Sequence, residues 1–277
     1  MATTSITKHR TRQTGRRPRL KKQWQLLSWN VNGLRAAEKK GFADWLSQCS
    51  GDVVAVQETK ARPEQLSEAL LRPTGYHADW NSAEKKGYSG VVTYSNQRPL
   101  KVTAGLGDPR FDSEGRVLIS EFEPFVFFNT YFPNGGRGPE WVAHKLAFYR
   151  RFLEVTRDHM KAGRPVVVAG DFNTAYAEID LARPKENIKH SGFMPEERVG
   201  LGEFFAAGLV DTFRYLHPEA VKYSWWDMVT RARERNVGWR LDYFMVSADL
   251  KDRIVEADLQ TDVFGSDHCP VSLKLGF

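Results

Sequence analysis

The chain has 277 residues, 41% hydrophobic and 12% aromatic, enough to bury the core of one large domain or two small ones. No stretch approaches the roughly 20 apolar residues of a membrane helix, and two cysteines, Cys49 and Cys269, argue against a disulfide framework and for a reducing, intracellular compartment. The net charge of +6 belongs to one end: residues 1–22 carry eight Lys/Arg and no acid, which leaves 32 basic against 34 acidic residues, a net of −2, for the rest. A case for nucleic-acid binding therefore needs a local patch rather than the whole surface.

Residues 1–22 (MATTSITKHRTRQTGRRPRLKK) are polar, Ser/Thr-rich and without an apolar face. They read as a disordered tail. A nucleic-acid arm, a transit peptide and a solubilising extension are the open readings, with the missing apolar face counting against the second. Trp24–Trp29 is a predicted strand that ends in the polar turn Asn30-Val31-Asn32-Gly33. Helical spacing follows over Arg35–Gln48, and Asp52–Val56 is a second apolar strand that ends in Gln57-Glu58. A strand–helix–strand of this length is a βαβ unit, so the two strands run parallel and their polar ends meet on one edge. Glu58 directly after a buried run needs exposure or a cation.

Pro63–Leu71 is a predicted short helix. Gly90–Ser95, Val117–Phe122 and Phe125–Tyr131 are predicted strands with the spacing of a meander. The last runs into Phe132-Pro133-Asn134-Gly135-Gly136-Arg137-Gly138, a backbone permissive enough to approach a phosphate. Glu140–Ala162 is a long amphipathic helix. Pro165–Asn173 (PVVVAGDFN) is a strand buried on both faces that delivers Asp171 and Asn173 at its carboxyl end, where α/β enzymes place chemistry. Taken alone, the motif fits a catalytic strand end and a plain Asx turn equally. Residues 177–198 form a long polar segment, with Glu178 and Asp180 read as surface charges, and Leu201–Ala207 is a helix. Tyr223–Trp226, Trp239–Val246, Val255–Leu259 and Val271–Leu275 complete the strands. Asp242 lies among apolar residues and needs a partner. Asp267-His268 precedes the last strand, and Cys269 reads as a small packing residue.

The strand ends together offer Asn30, Asn32, Glu58, Tyr131, Asn134, Arg137, Asp171, Asn173, Asp242, Asp267 and His268. No Gly-x-Ser-x-Gly, P-loop or cysteine pair accompanies them. Carboxylates and amides without thiolates suit a hard cation such as Mg²⁺ or Mn²⁺, and a buried Asp with a His suggests an oriented imidazole. That set points to phosphodiester hydrolysis.

SWNVNGLR, VVAVQETK, YFPNGGRG, VVVAGDFN, VGWRLDYFMVS and GSDHCPV, in this order, resemble the exonuclease III-type apurinic/apyrimidinic (AP) endonuclease family across residues 24–277. The resemblance implies an α/β four-layer sandwich, two mixed β-sheets flanked by helices, as one catalytic domain over 23–277. It implies Mg²⁺, with Mn²⁺ able to substitute, held by Glu58 and Asp267, with Asn30, Asp171, Asn173 and His268 lining the site. Asp171 and Asn173 would position the attacking water or protonate the leaving oxygen. Asp242 would orient His268, and Tyr131 would bond the phosphate or the leaving group. Asn134 and Arg137 would contact DNA, and Trp225 and Trp239 would wall a pocket for a flipped-out abasic sugar, which excludes an intact nucleotide. The expected substrate is duplex DNA with abasic sites or blocked 3′ ends, cut by a monomer. Asn32 stands where some relatives carry Asp, and His190 where some carry Asn, with Asn187 and Lys189 nearby as alternative contacts. Rival readings are the lipid, inositol-phosphate and RNA-tail phosphoesterases of the same fold, and a catalytically dead DNA-binding module.

Overall fold

The computed structural model describes residues 22–277. The expectation for 1–22 thus lies outside the described residues except at Lys22, whose backbone pairs with that of Phe277. Fourteen strands are present among the described residues: β1 (Gln23–Asn30), β2 (Val53–Gln57), β3 (His77–Asn81), β4 (Val91–Ser95), β5 (Lys101–Ala104), β6 (Val117–Glu121), β7 (Val126–Tyr131), β8 (Val166–Asp171), β9 (Leu209–Asp211), β10 (Trp225–Trp226), β11 (Gly238–Trp239), β12 (Asp242–Ser247), β13 (Ile254–Leu259) and β14 (Val271–Gly276). Twelve of them make two six-stranded sheets, ordered β13-β14-β1-β2-β4-β3 and β5-β6-β7-β8-β12-β9. Each sheet has one parallel pair at its centre, β1 with β2 and β7 with β8, and antiparallel neighbours elsewhere. Both sheets are mixed, and the parallel β1/β2 pair follows from the βαβ spacing.

Alternation along each strand decides the layers. Trp24 and Leu26 of β1, Val53 and Ala55 of β2, Phe127 of β7, Val167 and Ala169 of β8 and Phe244 and Val246 of β12 share the core between the sheets. Leu27, Trp29, Val54 and Val56 face the other way, against the helices Leu34–Glu38 and Phe42–Gln48. Val166, Val168, Phe128 and Met245 pack on the long helix Pro139–Lys161 and on Pro195–Ala206. This is the four-layer sandwich. Continuing the inward register along the strands gives Asn30, Gln57, Tyr131, Asp171 and Asp242. The apolar core between the sheets therefore turns polar at one edge. Gln57 donates to Ser28 Oγ at 3.0 Å and to Asn129 Oδ1 at 2.8 Å, which stitches the sheets together just below that edge.

Several elements differ from the sequence-based expectation. Gly41, at φ 93°, divides the helix expected over Arg35–Gln48 into two. β3, β5 and β9 lack the long apolar run that announces a strand; β5 is exposed throughout. The helix expected at Leu201 begins at Pro195, a residue suited to the first helical position. The strand expected over Trp239–Val246 is broken: β11 pairs with β10, and the chain crosses to the second sheet at Arg240-Leu241. Asp180 is not a surface charge. It is 1% exposed and accepts from Arg240 Nε at 2.8 Å and Arg214 Nη2 at 2.6 Å. Burial raises its carboxyl, but the two guanidinium groups and the Ala177 N–H outweigh that and hold it below the usual range.

Gly170 precedes Asp171 at φ 148°, and a Cβ there would lie 1.8 Å from the Thr130 carbonyl oxygen of β7. Gly170→Ala must separate the central parallel pair. We expect a loss of about 3 kcal/mol or more, typical of severe overpacking, seen as a lower urea midpoint with an unchanged slope; an unaltered midpoint refutes the close-approach argument.

Candidate active site

The polar edge between the sheets opens into a cavity of about 820 Å³. Its floor is made by Glu58, Tyr131, Asp171, Asn173, Asp267 and His268, one or two from each of four chain segments.

Asp171 ends β8, directly opposite Asp242, the first residue of β12. The chain then turns through Asn173, at φ 51°, and Asn173 N donates to Asp171 Oδ1 at 2.7 Å. The Asx turn and the polar strand end are thus the same feature: the turn brings Asn173 back to Asp171. Its Nδ2 donates to Phe132 O at 2.9 Å and to Asp171 Oδ2 at 3.2 Å, while its Oδ1 accepts from Asn134 Nδ2 at 2.9 Å. Asn30 Nδ2 donates both to Glu58 Oε1 and to Asp171 Oδ2, each at 2.9 Å, and so bridges the sheets.

His268 is buried, and its Nδ1 lies 2.8 Å from Asp242 Oδ2, with Nε2 3.9 Å from Asp171 Oδ2. Burial alone would lower its pKa. The bond to Asp242 and the charges of Asp242, Asp171 and Asp267 outweigh it and raise the imidazole to about 10. Asp171 is lifted above the usual carboxylate range by burial, reinforced by Asp242 and Glu58, despite His268 and the Asn173 N–H. Burial also keeps the Tyr131 phenol protonated, aided by the Glu58 carboxylate, so it can donate a hydrogen bond. Arg116, itself 3% exposed, lies 4.6 Å from the Tyr131 ring and donates to its carbonyl at 3.1 Å.

Asp267 accepts from Asn32 Nδ2 at 3.0 Å, Ser266 Oγ at 3.1 Å and Trp225 Nε1 at 3.1 Å. Burial raises its carboxyl, but the His268 charge and these three bonds hold it below the usual range. Glu58 is also held low: burial is outweighed by Lys60, whose Nζ is 2.7 Å from Oε2, and by bonds from Asn30 and Tyr131. Both carboxylates are therefore ionised at neutral pH, the form in which carboxylate oxygen binds a hard divalent cation. Among the described residues, Asp171, Asp242 and His268 also bring one ligand atom each within 4.8 Å of one another, a cluster that could hold a metal ion through its histidine only with His268 deprotonated.

The cavity walls come from two loops. Arg183, Glu186, Asn187, His190 and Gly192 face Trp225, Asp227, Thr230, Arg235 and Trp239. The Trp225 and Trp239 rings meet edge to face, 6.4 Å apart, while the adjacent Trp226 is buried. Of the DNA-contact candidates, Asn134, Asn187, Trp225 and Trp239 line the cavity. His190 lines it too. Arg137 and Lys189 are exposed outside the lining set, with Arg137 stacked 4.8 Å over Trp141, and Asn32 sits behind Asp267 as its tether.

Buried carboxylates and an imidazole gathered at the floor of one cavity suit phosphodiester hydrolysis. The model of the endonuclease/exonuclease/phosphatase family matches residues 27–268. The chain belongs to that family. It is 43% identical over 251 residues to the exodeoxyribonuclease of Bacillus subtilis, covering 90% of this chain and 98% of that protein. It is 40% identical over 257 residues to a DNA repair nuclease of Danio rerio, covering 91% and 82%. The crystal structure of an AP endonuclease from Leishmania major superposes with a TM-score of 0.84 at 31% identity, covering 92% and 88%. The chain is thus a hydrolytic nuclease of the exonuclease III-type AP-endonuclease family.

Three supporting residues escaped the sequence reading: Arg116, Lys145 and Glu197. Lys145 left a signal, since it sits in the apolar stripe of the long helix between Val142 and Phe148-Tyr149, where a lysine is out of place.

The raised pKa of His268 has a checkable sign. An unfolded histidine titrates near about 6.5. The stabilisation from its pairing is complete below that value and lost as pH rises through about 10. The urea midpoint of the wild type should fall, relative to that of His268→Gln, between pH 7 and 10.5. Parallel profiles would sink the pairing.

Proposed function

We propose that this chain is a Mg²⁺-dependent DNA-repair endonuclease that takes an abasic nucleotide out of the duplex and cleaves the phosphodiester 5′ to it, leaving a 3′-hydroxyl and a 5′-deoxyribose phosphate. A 3′-exonuclease and 3′-phosphodiesterase activity at the same centre accompanies it. The reading assigns residues 23–277 to one catalytic domain that works as a monomer. The single observation that carries it is the bond from Trp225 Nε1 to Asp267 Oδ2, 3.1 Å long. It ties an aromatic cavity wall directly to the hydrolytic floor, so a group held against Trp225 and Trp239 presents its phosphate to Asp171, Asn173 and His268.

In this reading Glu58 and Asp267 hold the cation, with Asn30, Asp171, Asn173 and His268 around it. When bound, the ion supplies Lewis-acid neutralisation of the phosphate charge. His268, kept cationic by Asp242, bonds a non-bridging phosphate oxygen and stabilises the charge that builds there. Asn173 fixes the position of the attacking water through its carboxamide. Asp171, whose affinity for a proton is raised by burial, takes the proton from that water or gives one to the leaving 3′-oxygen. Tyr131, which gives its one hydroxyl proton to Glu58 when no substrate is bound, turns it to the phosphate. Asn134, Asn187 and the backbone at Gly192 line the path of the DNA, and Arg137 and Lys189 add charge outside the cavity. The aromatic walls enclose a base-free sugar, whose extrusion costs least because no base is unstacked.

A duplex with one abasic site should be cut 5′ to the lesion in Mg²⁺ or Mn²⁺ and left intact in EDTA; no incision in Mg²⁺ rejects the proposal. Asp171→Asn and His268→Asn should each lower kcat by about 10³-fold, measured with saturating duplex. Trp239→Ala should instead raise KM by about tenfold with kcat nearly preserved; a tenfold fall in kcat with KM unchanged would refute a purely binding role for the Trp239 wall.

A further inference from the structure

Lys145 and Glu197 form an ion pair with no exposed side-chain surface, just behind the cavity. Lys145 Nζ donates to Glu197 Oε1 at 2.8 Å and to the Asn173 carbonyl at 2.6 Å. Glu197 Oε1 also accepts from Ser191 Oγ at 2.7 Å, and Oε2 accepts from the N–H groups of Gly192 and Met194. One pair of opposite charges thus touches three separate segments: the long helix, the Asn173 turn beneath the reaction centre, and the Ser191–Met194 strip behind the cavity wall.

Packing does not require charges here. Replacing a buried pair with hydrophobic side chains is often neutral or stabilising, whereas removing one partner leaves the other uncompensated. What the pair adds is directed hydrogen bonding to fixed atoms of two segments that make no regular structure with each other. The consequence is visible at Gly192, at φ 99°, where a Cβ would meet the Trp239 ring at 3.2 Å and the Asn173 carbonyl at 3.3 Å. The wall indole, the strip and the catalytic turn are in contact through this one glycine. Ala175 N donates to Gly192 O at 2.8 Å and closes the same junction. The glycine-rich loop rests on it as well, since a Cβ at Gly135 would lie 2.6 Å from Ser191 Oγ.

We propose that Lys145 and Glu197 are positioning residues that hold the cavity wall in register with the Asn173 turn, so that discrimination between a base-free sugar and an intact nucleotide depends on an ion pair outside the cavity. The inference rests on the reading of the cavity as the lesion pocket. A wall displaced by even an ångström costs far more in the discriminating step than in general hydrolysis.

The test compares two activities of the full chain in Mg²⁺: incision at a single abasic site in a duplex, and removal of unmodified nucleotides from a recessed 3′ end. Lys145→Met and Glu197→Gln should each lower the ratio of the first to the second by about tenfold, with the loss in KM for the abasic duplex rather than in kcat. The double variant should be no worse than the poorer single one, because the two act as a unit. Lys145→Arg, which can still donate to both acceptors, should restore part of the ratio. Circular dichroism and thermal melts separate folding from selectivity, and Glu197→Gln keeps the side-chain shape if Lys145→Met fails to fold. A ratio within about twofold of wild type in the folded variants, a proportional fall of both activities, or a double variant equal to the product of the singles overturns the inference. Failure of the wild type to incise abasic DNA rejects the lesion pocket and this inference together; wild-type incision with unchanged ratios rejects only the role of the pair.

Discussion

Four carboxylates, those of Glu58, Asp171, Asp242 and Asp267, are drawn together at one edge of a sheet sandwich, and the arrangement of the rest of the site answers their mutual repulsion. Burying one unpaired carboxylate costs several kcal/mol, and a second nearby raises the cost. Each therefore has dedicated donors. Asn30 spans Glu58 and Asp171, Lys60 pairs with Glu58, His268 pairs with Asp242, and Asn32, Ser266 and Trp225 surround Asp267. The compensation is unequal. Glu58 and Asp267 are held below the usual carboxylate range, while Asp171 is pushed above it. That difference separates carboxylates suited to a cation from one suited to moving a proton.

The backbone accepts strain to achieve this. Asn32, Glu58 and Asn173 all lie near φ 50°, each just beyond a strand end. Asparagine tolerates that conformation, but glutamate gives up roughly 1 kcal/mol there. Glu58 is kept in place by its carbonyl, which accepts from Gly33 N at 2.8 Å, and by the next residue, whose N–H donates to Gly90 O at 3.0 Å. The turns after β1 and β2 thus support each other, and strain at a functional position is borne by hydrogen bonds between segments far apart in the chain.

Much of this was legible beforehand. Short apolar runs mark most of the strands, which are buried on both faces, and the βαβ spacing foretells that β1 and β2 run parallel with their polar ends together. The pairing of Asp242 with His268 is suggested by a carboxylate stranded among apolar residues. What escaped has a common cause. Gly41 divides a helix whose apolar spacing runs through it. Asp180 looks like an exposed loop acid because its partners, Arg214 and Arg240, lie 34 and 60 residues away. Trp239 and Asp242 look like one strand because both flank apolar residues, yet they belong to different sheets.

By itself, then, the sequence determines most of the strands, the chemistry delivered at their ends and the family, because these reside in local patterns: apolar runs, motif order and donor type. Tertiary structure alone decides which carboxylate is ionised, which indole walls the cavity and which lysine lies beneath it. Those properties arise from burial and from contacts between residues such as Lys145 and Glu197, 52 positions apart. No local periodicity encodes such contacts, since the energy of a buried charge is set by whatever the fold places beside it.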